Sequence, residues 1–413
     1  MLYSSTILAR NASSILSRLS RLPAELRAHP LLFTLSADAP PASLSPLVSA
    51  LSSLSSSGSV GCLSAAAHPG APIACSLAFF HKEDATPFYS DIPGRPETQV
   101  GRWHAMRKKG EDKSLLGSEP LLEEGENVDW ERIWSRGSLA GDDALPSSLR
   151  GLRQADVHTI IALTDNAPQG LNQALSSSFA HATKLGLFAS STPFVTGRPY
   201  TLIFNDSVKS SGAVGLALSA SPRPVLQTAF PGLRAITAPL TVTQSEGNLV
   251  NELNNANPTA LLISAIEKSA IAGDAAKDDE FYLGVLRDGE LWQLHHIMAG
   301  GPSRGTMALE TETAPGEGTS VQLFHRPSNH DVALADAVLP GRAKNTLAFV
   351  ASLQSGDDVA ALVEGEEEGG EDGLVAVLED TFVAASENGF MLRREGEVTW
   401  TCISPGAQVR LTW

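Results

Sequence analysis

Apolar positions in the first part of the chain alternate between short runs and helical spacing. Leu31 to Leu35 is a run of strand length. Residues 43 to 55 follow, with Leu47, Ala50, Leu51 and Leu54 on one helical face. Val60 to Leu63 and Ile73 to Phe80 are further short apolar runs. A strand, a helix and a strand in such close succession predict a βαβ unit, hence a sheet with helical cover.

The rhythm lapses over residues 81 to 150 and resumes at Val157. His158 to Thr164 reads as a buried strand, residues 170 to 182 as a helix and Leu185 to Phe188 as a strand. Tyr200 to Phe204 and Ala213 to Leu218 read as strands around a turn at Asn205-Asp206. From Leu240 the pattern changes. Ser245 is expected to cap a short helix carrying Leu249, Val250 and Leu253. Phe281 to Arg287 and Glu290 to Met298 flank Asp288-Gly289, the signal of a type I′ hairpin. Gly305 to Glu310 and Ser320 to Arg326 extend it as a meander. A helix near residues 331 to 338 and five strands between Asn345 and Trp413 complete the chain.

The expected fold class is therefore α+β or α/β. An N-terminal α/β sheet domain over residues 31–235, with a long insertion at 81–150, precedes a mostly antiparallel, β-rich α+β domain over 236–413. Residues 356–373, rich in acids and glycines, read as a disordered surface loop. No repeat of solenoid period is visible.

Residues 1–30 admit two readings. Leu8, Ala12, Ile15, Leu16, Leu19 and Leu22 fall on one helical stripe, with Arg10, Arg18 and Arg21 opposite and no acid before Glu25. That composition fits a mitochondrial targeting segment, and whether it is cleaved stays open. The alternative is an ordinary first helix in a cytoplasmic protein.

Composition narrows the class. The chain has 413 residues and a net charge of −16, so phosphate backbones are repelled and no nucleic-acid partner is expected. No apolar run reaches the length of a membrane span. Three cysteines, Cys62, Cys75 and Cys402, are too few for a disulfide framework and suggest a reducing compartment.

Candidate chemistry is sparse. Gly301-Pro302-Ser303-Arg304-Gly305 matches Gly-x-Ser-x-Gly, but strands flank it where a nucleophile elbow needs a helix after the serine. His295 and His296 are adjacent on a strand and point to opposite faces, with His325 and His330 as distant company. No metal site, cofactor motif or phosphate loop is read. Residues 81 to 150 hold Trp103, Trp130 and Trp134 and a basic cluster at Arg102, Arg107, Lys108 and Lys109, followed by acids. Cys62 closes a short strand beside Gly61, and the loop 189–193 follows another strand with hydroxyls and backbone N–H groups. Strand ends of this kind hold ligands in α/β sheets, a carboxylate among them.

Several segments resemble the FIST domain family of F-box and intracellular signal transduction proteins. They are Gly61-Cys62-Leu63-Ser64-Ala65-Ala66, Thr159 to Leu175, Gly186 to Ser191, Thr201 to Asp206 with Ser211 to Leu218, and Thr243 to Leu253. His296-Ile297, Gly305 to Leu309 and Gly318 to Phe324 are similar to the family's later paired strands. The family's usual double glycine is replaced by Ala189-Ser190, and its Cys-x-x-Arg stretch has no counterpart. Neither an F-box nor an output domain accompanies these segments, which implies a stand-alone version. The resemblance implies a sensory protein that binds small ligands such as amino acids.

The leading expectation is a non-catalytic sensor that binds a small polar metabolite at Cys62, Ser190, Ser191 and Asn205 without a cofactor. The alternative is an interaction scaffold whose insertion 81–150 docks a protein partner. An enzyme with an unassigned serine or cysteine nucleophile is the third reading.

Overall fold

The computed structural model describes residues 1–66, 73–92, 94, 145–219, 222–269, 279–300, 305–311, 313–327, 345–351 and 373–413. Among these, β1 (Tyr3–Ala9) leads through α1 (Ala12–Ser20) to β2 (Leu31–Ser36), α2 (Pro41–Ser52) and β3 (Ser59–Ser64). β4 (Ile73–Phe79), β5 (Ala85–Ser90) and β6 (Thr159–Thr164) precede α3 (Gln169–Ser178) and β7 (Thr183–Phe188). A single turn, α4 (Pro193–Thr196), leads to β8 (Leu202–Phe204), β9 (Ser207–Lys209), β10 (Ala213–Leu218) and β11 (Val225–Ala229). Then come β12 (Arg234–Ala235), β13 (Leu240–Glu246), β14 (Leu249–Leu253), α5 (Pro258–Lys268), β15 (Glu280–Arg287) and β16 (Glu290–Gly300). β17 (Met307–Leu309), β18 (Ser320–Arg326), β19 (Thr346–Ala351), β20 (Leu374–Glu379) and β21 (Thr381–Ser386) follow. β22 (Phe390–Arg393), β23 (Trp400–Cys402) and β24 (Gln408–Thr412) end the chain.

The strands form four sheets, in the orders β20-β1-β4-β2-β3-β8-β9, β23-β22-β7-β6-β10-β5, β11-β24-β19-β21 and β12-β18-β13-β14-β17-β16-β15. Two βαβ units stand as the apolar rhythm predicts. β2 and β3 run parallel around α2, and β6 and β7 run parallel around α3. In the fourth sheet β18 also pairs with β15, so six strands close into a ring rather than an open meander. Ring closure removes the exposed edges such a sheet would otherwise carry.

Alternation along the strands explains the layering. Leu31, Phe33 and Leu35 of β2 join Ile15, Leu19, Leu47 and Leu51 of α1 and α2, while Leu32 faces the other way. In β6, Ile160 and Ala162 pack with Leu171 and Leu175 of α3, while Ile161 and Leu163 point inward. The inward faces of both sheets meet Phe349, Phe382 and Val409 of the third sheet in one central core. Helices, sheet, core, sheet and helix thus stack in order, each sheet burying both faces. The ring of strands has its own core around Val242, Leu283, Met307 and Leu323.

Four expectations change. Residues 2–22 are not one helix, because Tyr3–Ala9 is a strand paired to β4 on one side and β20 on the other. Its buried Ile7 and Leu8 sit on opposite faces, which a helical stripe does not describe. Leu249, Val250 and Leu253 lie on a strand, since Gly247, with φ near +57°, turns the chain straight back from β13. The stretch read as an insertion starts later: β5 is an edge strand beside β10, and Leu149 belongs to the core under α3. Of that stretch, residues 95–144 lie outside the described residues, as do residues 301–304, 328–344 and 352–372.

The fourth change concerns the boundary at 235. β20 edges β1, β22 lies beside β7, and β24 lies between β11 and β19. The last strands therefore complete sheets begun by the first 235 residues, and only residues from β12 to β18 build the separate ring. The reason is edge pairing. β1, β7 and β11 each offer unpaired backbone groups that a distant strand satisfies.

Candidate functional site

The tips of β3 and β7 converge on one carboxylate. Ser190 Oγ donates to Glu387 Oε2 over 2.7 Å, and the Ser191 amide donates to Glu387 Oε1 over 3.0 Å. Asn388 Nδ2 reaches the Ala189 carbonyl at 3.3 Å. Beneath the loop, Thr192, Thr196 and Thr201 share hydroxyl bonds of 2.8 Å to Thr201 Oγ1. The Ser190 amide is tied back to the Leu63 carbonyl. The hydroxyls and N–H groups of this loop do hold a carboxylate, and it is the chain's own.

Cys62 lies near that cluster but fully buried. Burial, reinforced by the Glu387 charge, pushes its thiol well above the usual range. A thiol held protonated is a poor nucleophile. Asn205 does not join the group. It sits at the opposite end of β3, where Oδ1 accepts the Ser59 amide at 3.0 Å and the residue turns β8 into β9 with φ near +52°. The tolerance of asparagine for left-handed backbone explains it there without a ligand. Tyr200 is drawn to the cluster, and its phenol is pushed up by burial, then by Asp165 and Glu387.

A cleft lies elsewhere in the fold. A cleft of about 390 Å³ separates α3 from the β22–β23 hairpin, with Thr311 and Thr313 closing one side. Gln169, Asn172, Gln173 and Ser176 line it from α3. Their spacing of i, i+3, i+4 and i+7 is one helical face. Leu171, Ala174 and Leu175 occupy the other face and bury into the sheet. Opposite stand Phe188, Arg393, Glu397, Val398 and Trp400. The register of β22 against β7 sets that wall. Phe390 and Leu392 enter the central core, while Met391 turns toward α3, where Asn172 Nδ2 lies 3.2 Å from its sulfur.

Charge on this wall is organised by Glu397. Its carboxylate accepts Trp292 Nε1 at 2.6 Å and Gln293 Nε2 at 3.2 Å, and pairs with Arg287 and Arg394 at 3.5 and 3.7 Å. Arg394 also stacks 3.7 Å from the Trp292 ring centre, and burial brings its guanidinium down to about 10. Arg393 Nε donates to the Glu397 carbonyl at 2.7 Å. Lys184, paired with Arg393 across the sheet, donates to the Phe179 and Ala182 carbonyls. Burial and then Arg393 bring its ammonium down to about 7. Three buried polar atoms of the lining residues have no partner: Gln169 Oε1, Arg393 Nη1 and Trp400 Nε1. Each such atom costs about 1–3 kcal/mol while unmet.

The sequence reading missed this cleft. Its local signal was the polar stripe in the helix at 169–178, but Arg393, Glu397 and Trp400 come from more than 200 residues later. His295 and His296 do face opposite ways. His295 is buried against Trp400, and His296 bonds Glu310 at 2.9 Å. His325 bonds Asp279 at 2.7 Å. Among the described residues no group of three or more side chains is placed to hold a metal ion. Ser303, His330, the three tryptophans and the basic cluster lie outside the described residues.

The family model of the FIST N domain matches residues 122–256, and a search of curated proteins finds no match. The resemblance read from the sequence thus holds for a stretch that includes β6, α3, β7 and the loop at 189–193. The matched stretch supplies the α3 wall of the cleft, and residues beyond it supply the wall of Arg393, Glu397 and Trp400.

Proposed function

We propose that this chain, similar over residues 122–256 to the FIST N domain, is a non-catalytic sensory protein whose small polar ligand sits between α3 and the β22–β23 hairpin. One observation carries the reading: a cleft of about 390 Å³, within the size range of metabolite sites, is lined on one side by the polar face of α3 and on the other by Phe188, Arg393 and Glu397. Amino acids, the ligands that the family resemblance implies, are the first compounds to test. The loop at Ser190 and Ser191, with Cys62 beneath it, is proposed as a secondary contact, open to a ligand that displaces Glu387.

Thermal shift of the full chain against a metabolite library tests the reading. A ligand that raises the midpoint in the wild type and loses its effect in Ser176→Trp, which fills the cleft, supports it. No shift across the library at millimolar concentration removes it.

A protein partner is the second reading, favoured by Phe194, whose side chain is fully exposed on α4. Loss of a captured partner in Phe194→Ser decides for it. For location, we propose mitochondrial import through residues 1–30, with a cytoplasmic site as the alternative. A reporter fused to these residues that stays diffuse removes the mitochondrial reading.

A further inference from the structure

We infer that residues 1–30 are a permanent part of the folded protein, and that folding withdraws their apolar stripe from any receptor. The inference goes beyond the import reading and does not depend on it, because it rests on strand pairing and packing alone.

β1 is an interior strand. All seven of its residues, Tyr3 to Ala9, pair with β4, and five of them pair with β20 on the other side. Ser4 to Ala9 are buried. The bonding runs on past both ends of the strand, with the Leu2 amide on the Phe79 carbonyl and the Arg10 amide on the Gly373 carbonyl. A targeting segment that is cut away has to leave behind a fold complete without it. Removal of β1 would instead strip partners from buried backbone groups of β4 and of β20 at once.

The same strand fastens a second sheet. Thr6 Oγ1 donates to the Thr381 carbonyl over 2.9 Å and accepts the Val383 amide over 2.9 Å. Ser76 Oγ, across on β4, lies 3.0 Å from that hydroxyl. Thr381 and Val383 belong to β21, which pairs with β19 in the third sheet. Loss of Thr6 would therefore leave a backbone amide of that sheet without its acceptor.

The fold also divides the stripe that the chain presents when extended. Leu8 lies on β1 against Ala74 and Ala376. Ile15 and Leu19 of α1 turn the other way, toward Leu47 and Leu51 of α2. A groove that grips an amphipathic helix holds its apolar face, and here that face is the buried one. The segment can be read by such a groove only before the chain folds.

Two measurements on the full chain test this. The intact mass of the protein isolated from its own cells is expected to include Tyr3–Ser20. A folded form that begins after Ala9 overturns the inference. In hydrogen exchange followed by peptide mass analysis, the amides of Tyr3–Ala9 are expected to be protected to within about tenfold of those of Ile73–Phe79. Faster exchange than that overturns the withdrawal, because β1 would then open independently of the sheet around it.

Discussion

The indole N–H of Trp292 donates to Glu397 across 2.6 Å, and this bond ties the ring of strands to the sheet that carries the cleft. Trp292 sits near the tip of the β15–β16 hairpin, and Glu397 in the turn between β22 and β23. Arg394 lies over one side of the indole, and Arg287 also stacks on it at 4.9 Å. Glu397 also lines the cleft.

Glu397→Gln keeps the shape of the side chain and removes its charge. The ion pairs at 3.5 and 3.7 Å are lost, and Arg394 is left half-buried without its counter-charge. Destabilisation of about 1–3 kcal/mol is expected, read from the urea midpoint. An unchanged midpoint would show that the carboxylate does not clamp the two parts.

His295 is fully buried, neither ring nitrogen has a partner, and burial brings its pKa from 6.5 down to about 4. The unfolded chain binds this proton below pH 6.5 and the folded chain does not until about 4. The contribution to stability is therefore full above pH 6.5 and is lost as pH falls toward 4, on the order of 3 kcal/mol in all. His295→Leu should show a shallower loss of stability than the wild type between pH 7 and 4. Parallel curves would refute the buried neutral imidazole.

Gly61 stands opposite Phe33 across the parallel β2–β3 pair, and a Cβ there would lie 2.5 Å from the ring. Gly61→Ala should cost about 1–3 kcal/mol through overpacking. Phe33→Leu in the same chain should recover part of that, giving a coupling energy of at least about 0.5 kcal/mol in a double-mutant cycle. Additive effects would mean that the two sites do not touch.

Cys62, Cys75 and Cys402 are all free and buried, and burial pushes the thiols of Cys75 and Cys402 up to about 12. In the native protein at pH 8, Ellman's reagent should titrate no thiol within minutes, and three after denaturation in guanidinium. Rapid native labelling of Cys62 would revive a nucleophilic role for it.

Much of the local structure was legible in the chain alone. The βαβ units at 31–64 and 159–188 follow from apolar runs separated by helical spacing, since both periods are set within a few residues. Asp288-Gly289 specified its hairpin because both residues tolerate positive φ, here about 53° and 84°. Ser190 and Ser191 were read as a ligand-holding loop, and their hydroxyl and amide are bonded to Glu387 of the same chain. The carboxylate was not legible, since Glu387 arrives from 196 residues away.

Strand neighbours were decided by tertiary structure. Tyr3–Ala9, read along the chain as part of a helical stripe, is a strand because β4 and β20 flank it, and a short apolar segment takes whichever backbone partners are offered. The cleft has the same origin. The polar stripe of α3 is written in ten consecutive residues, but its opposite wall exists only because Arg393 pairs with Lys184 across β22 and β7. Hydrogen-bond ladders carry no sequence label of their partner, so periodicity along the chain set which residues face inward, and long-range pairing set which of them meet.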